Sequence, residues 1–150
     1  MLMNRPHVTI HTDGSYKKET TIGGWAAHLS DGVSTELLFD RIENTTNNRM
    51  ELLAVIESLS VLTTPCNVTV VSDSRYVIDG STKWIHNWRR NGWVTAKDGE
   101  VVNKDLWLRL DKLLTTHNVV FKWIKGHQTG HKKDVKINNL VDYFAGAHFL

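Results

Sequence analysis

Between Thr45 and Leu62 the apolar positions Leu52, Val55, Ile56, Leu59 and Leu62 recur at helical spacing, and Met50, Leu53, Ala54 and Val61 widen the stripe. The pattern predicts a central helix covered on most sides. Threonines and asparagines precede it and can satisfy the free N–H groups of its first turn. Its first residue is expected between Thr45 and Asn48, and the Asn48-to-Glu51 spacing permits a capping-box-like pair. Glu51 is the polar exception, set between Met50 and Leu52 where burial is expected. Taken alone, it is explained as an acid favoured by the helix macrodipole.

His7–Asp13 alternates, with Val8, Ile10 and Thr12 on one side, and predicts a first strand ending at an acid. Gly14-Ser15 turns the chain, and Tyr16–Thr21 reads as a polar loop. Gly23–Ser30 and Val33–Ile42 predict two more strands, joined by the hairpin signal Asp31-Gly32. After the helix, Val68–Ser72 predicts a fourth strand, again ending at an acid, Asp73. A strand reached through a helical crossover usually lies parallel to one already in the sheet. Pairing with the first strand would bring Asp13 and Asp73 out at one edge, where open α/β sheets place their ligands.

Short helices are expected at Ser74–Gly80 and Thr82–Arg90, then a break at Asn91-Gly92 and a polar loop to Asn103. Lys104–Thr115 is amphipathic through Leu106, Leu110, Leu113 and Leu114. Asn118–Lys125 predicts a fifth strand, Gly126–Lys136 a loop rich in His and Lys, and Ile137–His148 a closing helix.

A length of 150 residues predicts one domain with a real core. No apolar run approaches the length of a bilayer span. The single Cys66 excludes an internal disulfide and a cysteine-based zinc site, and a cytoplasmic location is expected. A net charge of +2 does not by itself imply a polyanion partner, so the distribution of charge matters more.

Three acids need one explanation. Asp13 and Asp73 end strands, and Glu51 starts the helix between them. Each alone has a bland reading as a turn acid or a cap. Gathered at one sheet edge they would repel one another unless a cation sat among them. Carboxylate oxygens without cysteine suit Mg²⁺ or Mn²⁺ rather than zinc. Such clusters commonly hold two ions about 3.5–4 Å apart for phosphoryl transfer.

Asp13-Gly-Ser, Thr45-Thr-Asn-Asn-Arg-Met-Glu51-Leu, Ser72-Asp73-Ser, Trp84-Ile-His-Asn-Trp88 and Trp123-Ile-Lys-Gly-His127 occur in this order and cover nearly the whole chain. Together they resemble type I ribonuclease H. The Thr45–Leu52 block is the most specific of them. The resemblance implies an α/β, ribonuclease H-like fold: a five-stranded mixed sheet, three antiparallel strands then parallel strands, flanked by helices. It implies an endonuclease that hydrolyses the RNA strand of an RNA/DNA hybrid with two Mg²⁺ ions, Mn²⁺ substituting, and leaves 5′-phosphate and 3′-hydroxyl ends. No membrane and no obligatory protein partner are expected, and a monomer is.

The resemblance further implies that Asp13, Glu51 and Asp73 are metal ligands, and that His127 helps proton transfer or product release. A fourth carboxylate belongs in the closing helix. Asn138-Asn-Leu-Val-Asp142-Tyr-Phe-Ala matches the family pattern there and selects Asp142 over Asp134, which is expected in the preceding loop. His131 competes with His127 for the mobile histidine. Ser15, Asn47 and Asn48 are expected at the minor groove or the RNA 2′-hydroxyls, the group by which a protein tells RNA from DNA. Thr46 is expected at a DNA phosphate; for it and both asparagines the alternative is helix capping.

Ser81–Lys97 resembles the family's basic protrusion and contains no acid. Lys83, Trp84, Trp88, Arg89 and Arg90 are its expected substrate contacts; the alternative is that the tryptophans anchor the helix and the charges are solvated. Three departures stand out. The family's Gly-Asn-Pro-Gly type turn is Tyr16-Lys-Lys-Glu-Thr-Thr21 here, Arg75 follows Ser74 where a Gln is common, and the stretch between His127 and Asp142 is longer than usual. Arg75 is thus expected at a phosphate. A junction resolvase or integrase-like enzyme would lack the acid of the central helix, and an inactive hybrid-binding module would have lost a carboxylate. Neither departure is present.

Overall fold

The computed structural model describes residues 5–95, 97 and 99–147. Its centre is one five-stranded sheet in the order β3-β2-β1-β4-β5, built from β1 (His7–Lys17), β2 (Ile22–Ser30), β3 (Thr35–Ile42), β4 (Asn67–Ser72) and β5 (Asn118–Trp123). β1, β2 and β3 are antiparallel, whereas β4 and β5 run parallel to β1. The helices are α1 (Asn47–Ser60), α2 (Arg75–Asp79), α3 (Ile85–Arg90), α4 (Lys104–Thr116) and α5 (Lys133–Gly146).

The period-2 pattern divides the sheet. On β2, Trp25, Ala27 and Leu29 join the main core with Val8 and Ile10 of β1, under α1. Ala26 faces the other way, against Val141 and Ala145 of α5, in a small separate cluster. α1 begins after Thr46, whose hydroxyl accepts from the Arg49 amide at 3.2 Å. The Asn48–Glu51 capping pair therefore gives way to a Thr46 cap. Met50, Leu52, Ala54, Val55, Ile56 and Leu59 are buried, so α1 is enclosed on most sides.

Several boundaries differ from the sequence reading, among them the end of β5, at Trp123 rather than Lys125. β1 continues to Lys17, because Ser15, Tyr16 and Lys17 pair with Gly24, Gly23 and Ile22, and only residues 18–21 form the turn. The Asp31–Ser34 turn is held by the Asp31 carboxylate, which accepts from the Val33 and Ser34 amides, so β3 starts at Thr35. α2 and α3 are one helical rod, joined by a wide π turn over Gly80–Trp84. Gly80 keeps helical torsions (φ −63°, ψ −44°), so the chain never leaves the helix there. α5 starts at Lys133, four residues before the expected Ile137; its expected end at His148 lies outside the described residues.

Candidate active site

Register brings the first two acids together. Thr12 of β1 pairs with Ser72 of β4, and Asp13 and Asp73 are the next residue along each strand. Asp73 sits in the single step between β4 and the Ser74 cap of α2. Its carbonyl accepts from Trp123 Nε1 at 3.2 Å, which clamps this corner to β5. The start of α1 lies directly against Gly14, where a Cβ would come within 2.6 Å of the Glu51 amide. Only glycine permits that approach, and it carries Glu51 over the sheet edge to Asp13. At Gly126 a Cβ would stand 2.6 Å from Asp73 Oδ2, so the chain just before His127 passes close over that carboxylate.

One carboxylate oxygen from each of Asp13, Glu51 and Asp73 lies within 4.8 Å of the others. The three border an open cleft of about 390 Å³, lined also by Gly14, Asn47, Gly126, His127 and Asp142. No lysine or arginine is among the described lining residues. Asp13 and Glu51 are 3% and 6% exposed, and Asp13 Oδ2 and Glu51 Oε1 have no hydrogen-bond partner. Burial, and then the charges of Glu51 and Asp73, push the Asp13 carboxyl up to about 11. Burial and the Asp73 charge push Glu51 up to about 8, against the pull of the Gly14 amide. Asp73 is also raised, by burial first, while Asn138 and Asp13 hold it down.

These are hard oxygen donors, those of Asp13 and Glu51 buried and that of Asp73 half-buried. The donor set fits divalent ions of the Mg²⁺ or Mn²⁺ type, because a cation there removes the burial penalty and the mutual repulsion together.

Asp142 reaches the cleft from α5, and its Oδ2 lies 3.9 Å from His127 Nδ1. His127 is highly exposed and has a left-handed backbone, φ 54°, a conformation costly for a non-glycine residue and frequent at functional loops. His131 is exposed and outside the lining of this cleft. Asp134 is not in a loop: it occupies the first turn of α5 and pairs with His11 and Lys122, away from the carboxylate cluster. Asn138, 2% exposed, stands one turn before Asp142 and contacts Asp73. Its neutral side chain between two acids carries no sequence signal beyond its place one turn from Asp142.

The candidate substrate contacts divide. Asn47 lines the cleft, and Asn48 is exposed on the same turn. Ser15 is half-buried on β1 beside Gly14, and Thr46 is engaged as the α1 cap. The Arg75 guanidinium lies 3.8 Å above the Trp123 ring, a stacked cation at the margin of the cleft. Trp84 is exposed at one end of an aromatic stack that continues inward through Trp88 to Trp93 and Trp107. Trp88 is thereby half-buried and anchors the rod.

The acid-free appearance of Ser81–Lys97 does not survive folding. Asp79 comes within 3.8 Å of Lys83 one turn away, and Asp111 of α4 pairs with Arg89. Arg90 is hydrogen-bonded to Asn87. Partners from outside the segment account for the difference, and a reading of the segment alone cannot see them.

A mixed sheet with carboxylates gathered where its parallel pairing ends defines an α/β protein whose site suits metal-assisted phosphoryl chemistry. Comparison with known proteins specifies it. A family model described as RNase H matches residues 5–149. The chain is 48% identical over 134 residues to a ribonuclease H of Rhodopseudomonas palustris (strain TIE-1), covering 89% of this chain and 86% of the relative. It is 45% identical over 137 residues to a ribonuclease H of Francisella philomiragia, covering 91% and 89%. Among solved structures, LC9-RNase H1, described as a type 1 RNase H with the type 2 active-site motif, superposes with a TM-score of 0.77 at 30% identity, over 95% of this chain and 74% of that one. A prototype foamy virus protease–reverse transcriptase gives a TM-score of 0.78 at 21% identity, over 98% of this chain and 21% of that one, a likeness of fold alone.

The chain belongs to the ribonuclease H family and has its fold. It is an enzyme, a ribonuclease H, of a metal-dependent family whose members cut RNA within RNA/DNA hybrids. No described helix is long and apolar enough to cross a membrane.

Proposed function

We propose that this chain hydrolyses internal phosphodiester bonds of the RNA strand of an RNA/DNA hybrid, leaving 5′-phosphate and 3′-hydroxyl ends. Asp13, Glu51, Asp73 and Asp142 would hold two divalent ions, Mg²⁺ with Mn²⁺ as substitute. The observation that supports this reading is the buried carboxylate pair Asp13 and Glu51, each with one oxygen that lacks a hydrogen-bond partner, beside Asp73 in a cleft without lysine or arginine among its described lining residues. Bound there, divalent ions lower the pKa of an attacking water and offset charge developing on the phosphoryl oxygens.

The protein's own groups do the rest. Asp13 and Glu51, buried on β1 and on the first turns of α1, would supply rigid oxygens from the two central elements of the fold. Asp142 lies at the outer side of the cleft and is less buried, so it suits a ligand that adjusts as the scissile phosphate enters. His127 stands beside it with Nδ1 3.9 Å from the carboxylate, a place from which it would assist proton transfer or ease product release. Asn47, Asn48 and Ser15 would contact the minor groove and the 2′-hydroxyls. Thr46 would accompany a DNA phosphate, and Arg75 a phosphate near the cleft. Lys83, Trp84, Trp88, Arg89 and Arg90 would face the DNA strand.

The deciding experiment offers RNA/DNA hybrid, duplex RNA, duplex DNA and single strands to the enzyme, with Mg²⁺ or with EDTA. Cleavage of the hybrid's RNA strand alone, abolished by EDTA, is expected, with ends that ligate as 5′-phosphates. Cleavage that persists in EDTA, or that spares the hybrid, would remove the proposal.

A further inference from the structure

A second group of charges lies on the α5 side of the sheet, away from the cleft. His11 of β1, 2% exposed, shares a hydrogen bond of 2.8 Å between Nε2 and Asp134 Oδ1. Lys122 Nζ of β5 donates to Asp134 Oδ2 at 2.7 Å. One carboxylate on the first turn of α5 thus bridges two strands. An acid in a first turn is ordinarily explained by the helix dipole. Here both oxygens are committed to other elements, and α5 has no side-chain cap of its own.

The geometry ties this bridge to the cleft. His11 and Asp13 are two apart on β1 and so lie on the same face, the one toward α5. Asp134, Asn138 and Asp142 follow at intervals of four, drifting along one side of α5. α5 therefore brings two acids onto β1: Asp134 on His11, and Asp142 opposite Asp13. Its apolar contacts are Val141 and Ala145 resting on Ala26 with Leu37 and Phe144 packed alongside, and Val135 buried next to Asp134. Apolar packing sets the distance of a helix from a sheet but is not directional. A charge-assisted hydrogen bond is directional and resists sliding well.

We propose that Asp134 is a positioning residue for Asp142: bridged to His11 and Lys122, it fixes α5 along β1 so that Asp142 stands against Asp13. The added length between His127 and Asp142, helical from Lys133 onward, is what supplies this tether. The inference rests on the assignment of Asp142 to the metal-holding set proposed above.

The test is a double-mutant cycle of Asp134→Ala with Asp142→Asn, read as kcat and KM on a hybrid and as Mn²⁺ binding by calorimetry without substrate. Asp134→Ala alone is expected to lower kcat about tenfold, less than the ~100-fold that a 1 Å misplacement can cost, with KM unchanged. Mn²⁺ binding should weaken with it. In the Asp142→Asn background it should change neither quantity further. Asp134→Asn, which keeps an oxygen for His11, should recover part of the loss. Lys122→Met, which cuts one arm of the bridge from an exposed position, should show the same pattern in milder form and serves if Asp134→Ala folds poorly. An equal fall in kcat in both backgrounds, or a lowered Tm with kcat and Mn²⁺ binding intact, overturns the positioning role while leaving the site assignment standing. Full activity in Asp142→Asn alone overturns the assignment and the inference with it.

Discussion

Asp13 and Glu51 meet because Gly14 has no side chain: the amide of Glu51 lies where a Cβ on Gly14 would stand. This contact joins the central strand to the central helix and puts two buried carboxyls in one cleft with Asp73. Asp13→Asn, Glu51→Gln and Asp73→Asn should each lower hybrid cleavage at least about 100-fold, ~2.7 kcal/mol of transition-state stabilisation. Single-turnover rates with saturating Mg²⁺ measure this. A variant that keeps full activity loses its place among the ligands.

Stability without metal should move the opposite way. The Asp13 carboxyl titrates near 11 in the fold against an ordinary value of 3.8, so the folded state holds the proton more tightly than the unfolded chain. Its contribution is fully present below the unfolded value and is lost as pH rises from there toward about 11. Asp13→Asn removes that loss. In EDTA at pH 8 its Tm should exceed the parent's by at least about 2–4 °C, the shift of ~1 kcal/mol in a chain of this size, with a smaller gain at pH 5. Melting curves that show no gain, or a larger gain at pH 5, would contradict the raised carboxyl.

Lys83 and Arg89 should separate in kinetics. Lys83 is exposed and only 3.8 Å-paired with Asp79, so it is available to a phosphate. Lys83→Ala should raise KM, leave kcat nearly unchanged and flatten the log KM against log salt plot by about 0.9 unit, the value for one phosphate contact on a duplex. Arg89 is committed to Asp111. Arg89→Ala should cost no more than about 1 kcal/mol of stability and change the salt slope less than Lys83→Ala does. The reverse order of slopes would show that the Arg89 pair opens for substrate.

Asp142→Asn should cost far more activity than Asp134→Asn, and Mn²⁺, which tolerates a poorer ligand set, should relieve part of the loss. His127→Ala should lower kcat more than His131→Ala, since only His127 lines the cleft and faces Asp142. Rates with Mg²⁺ and Mn²⁺ for the four variants decide both comparisons. A larger loss at Asp134 would overturn the positioning role and the assignment of Asp142 together, since a residue that acts only through Asp142 cannot cost more than Asp142 itself.

Much of this architecture was legible because it is periodic. Val8 and Ile10 alternate with His7, Thr9 and His11, and the stripe of α1 repeats at helical spacing, so strands, central helix and the two acids just past the parallel pairing of β1 with β4 could be read. What was missed depends on partners distant in sequence. Ser15, Tyr16 and Lys17 are too polar to announce a strand, yet they extend β1 because Gly24, Gly23 and Ile22 pair with them. Gly80, Ser81 and Thr82 look like a helix break, but the π turn absorbs them. Lys132, Lys133 and Asp134 read as loop; Lys133 and Asp134 open α5, where Asp134 finds His11 more than a hundred residues away. The apparent freedom of Arg89 ended in the same manner, at Asp111.

The cluster of Ala26, Val141 and Ala145, with Leu37 and Phe144 beside it, is separate from the main core and has a consequence for heat resistance. α5 carries Asp142, yet shares little of the core that secures α1. Regions with few buried apolar contacts open at a free energy below that of global unfolding. Detachment of α5 while sheet and α1 stay intact would silence the enzyme reversibly, so activity should fade on warming some degrees before circular dichroism records melting, and amide exchange in α5 should outpace that in α1. The working temperature of this nuclease would then be set by the docking of one helix rather than by the strength of its core.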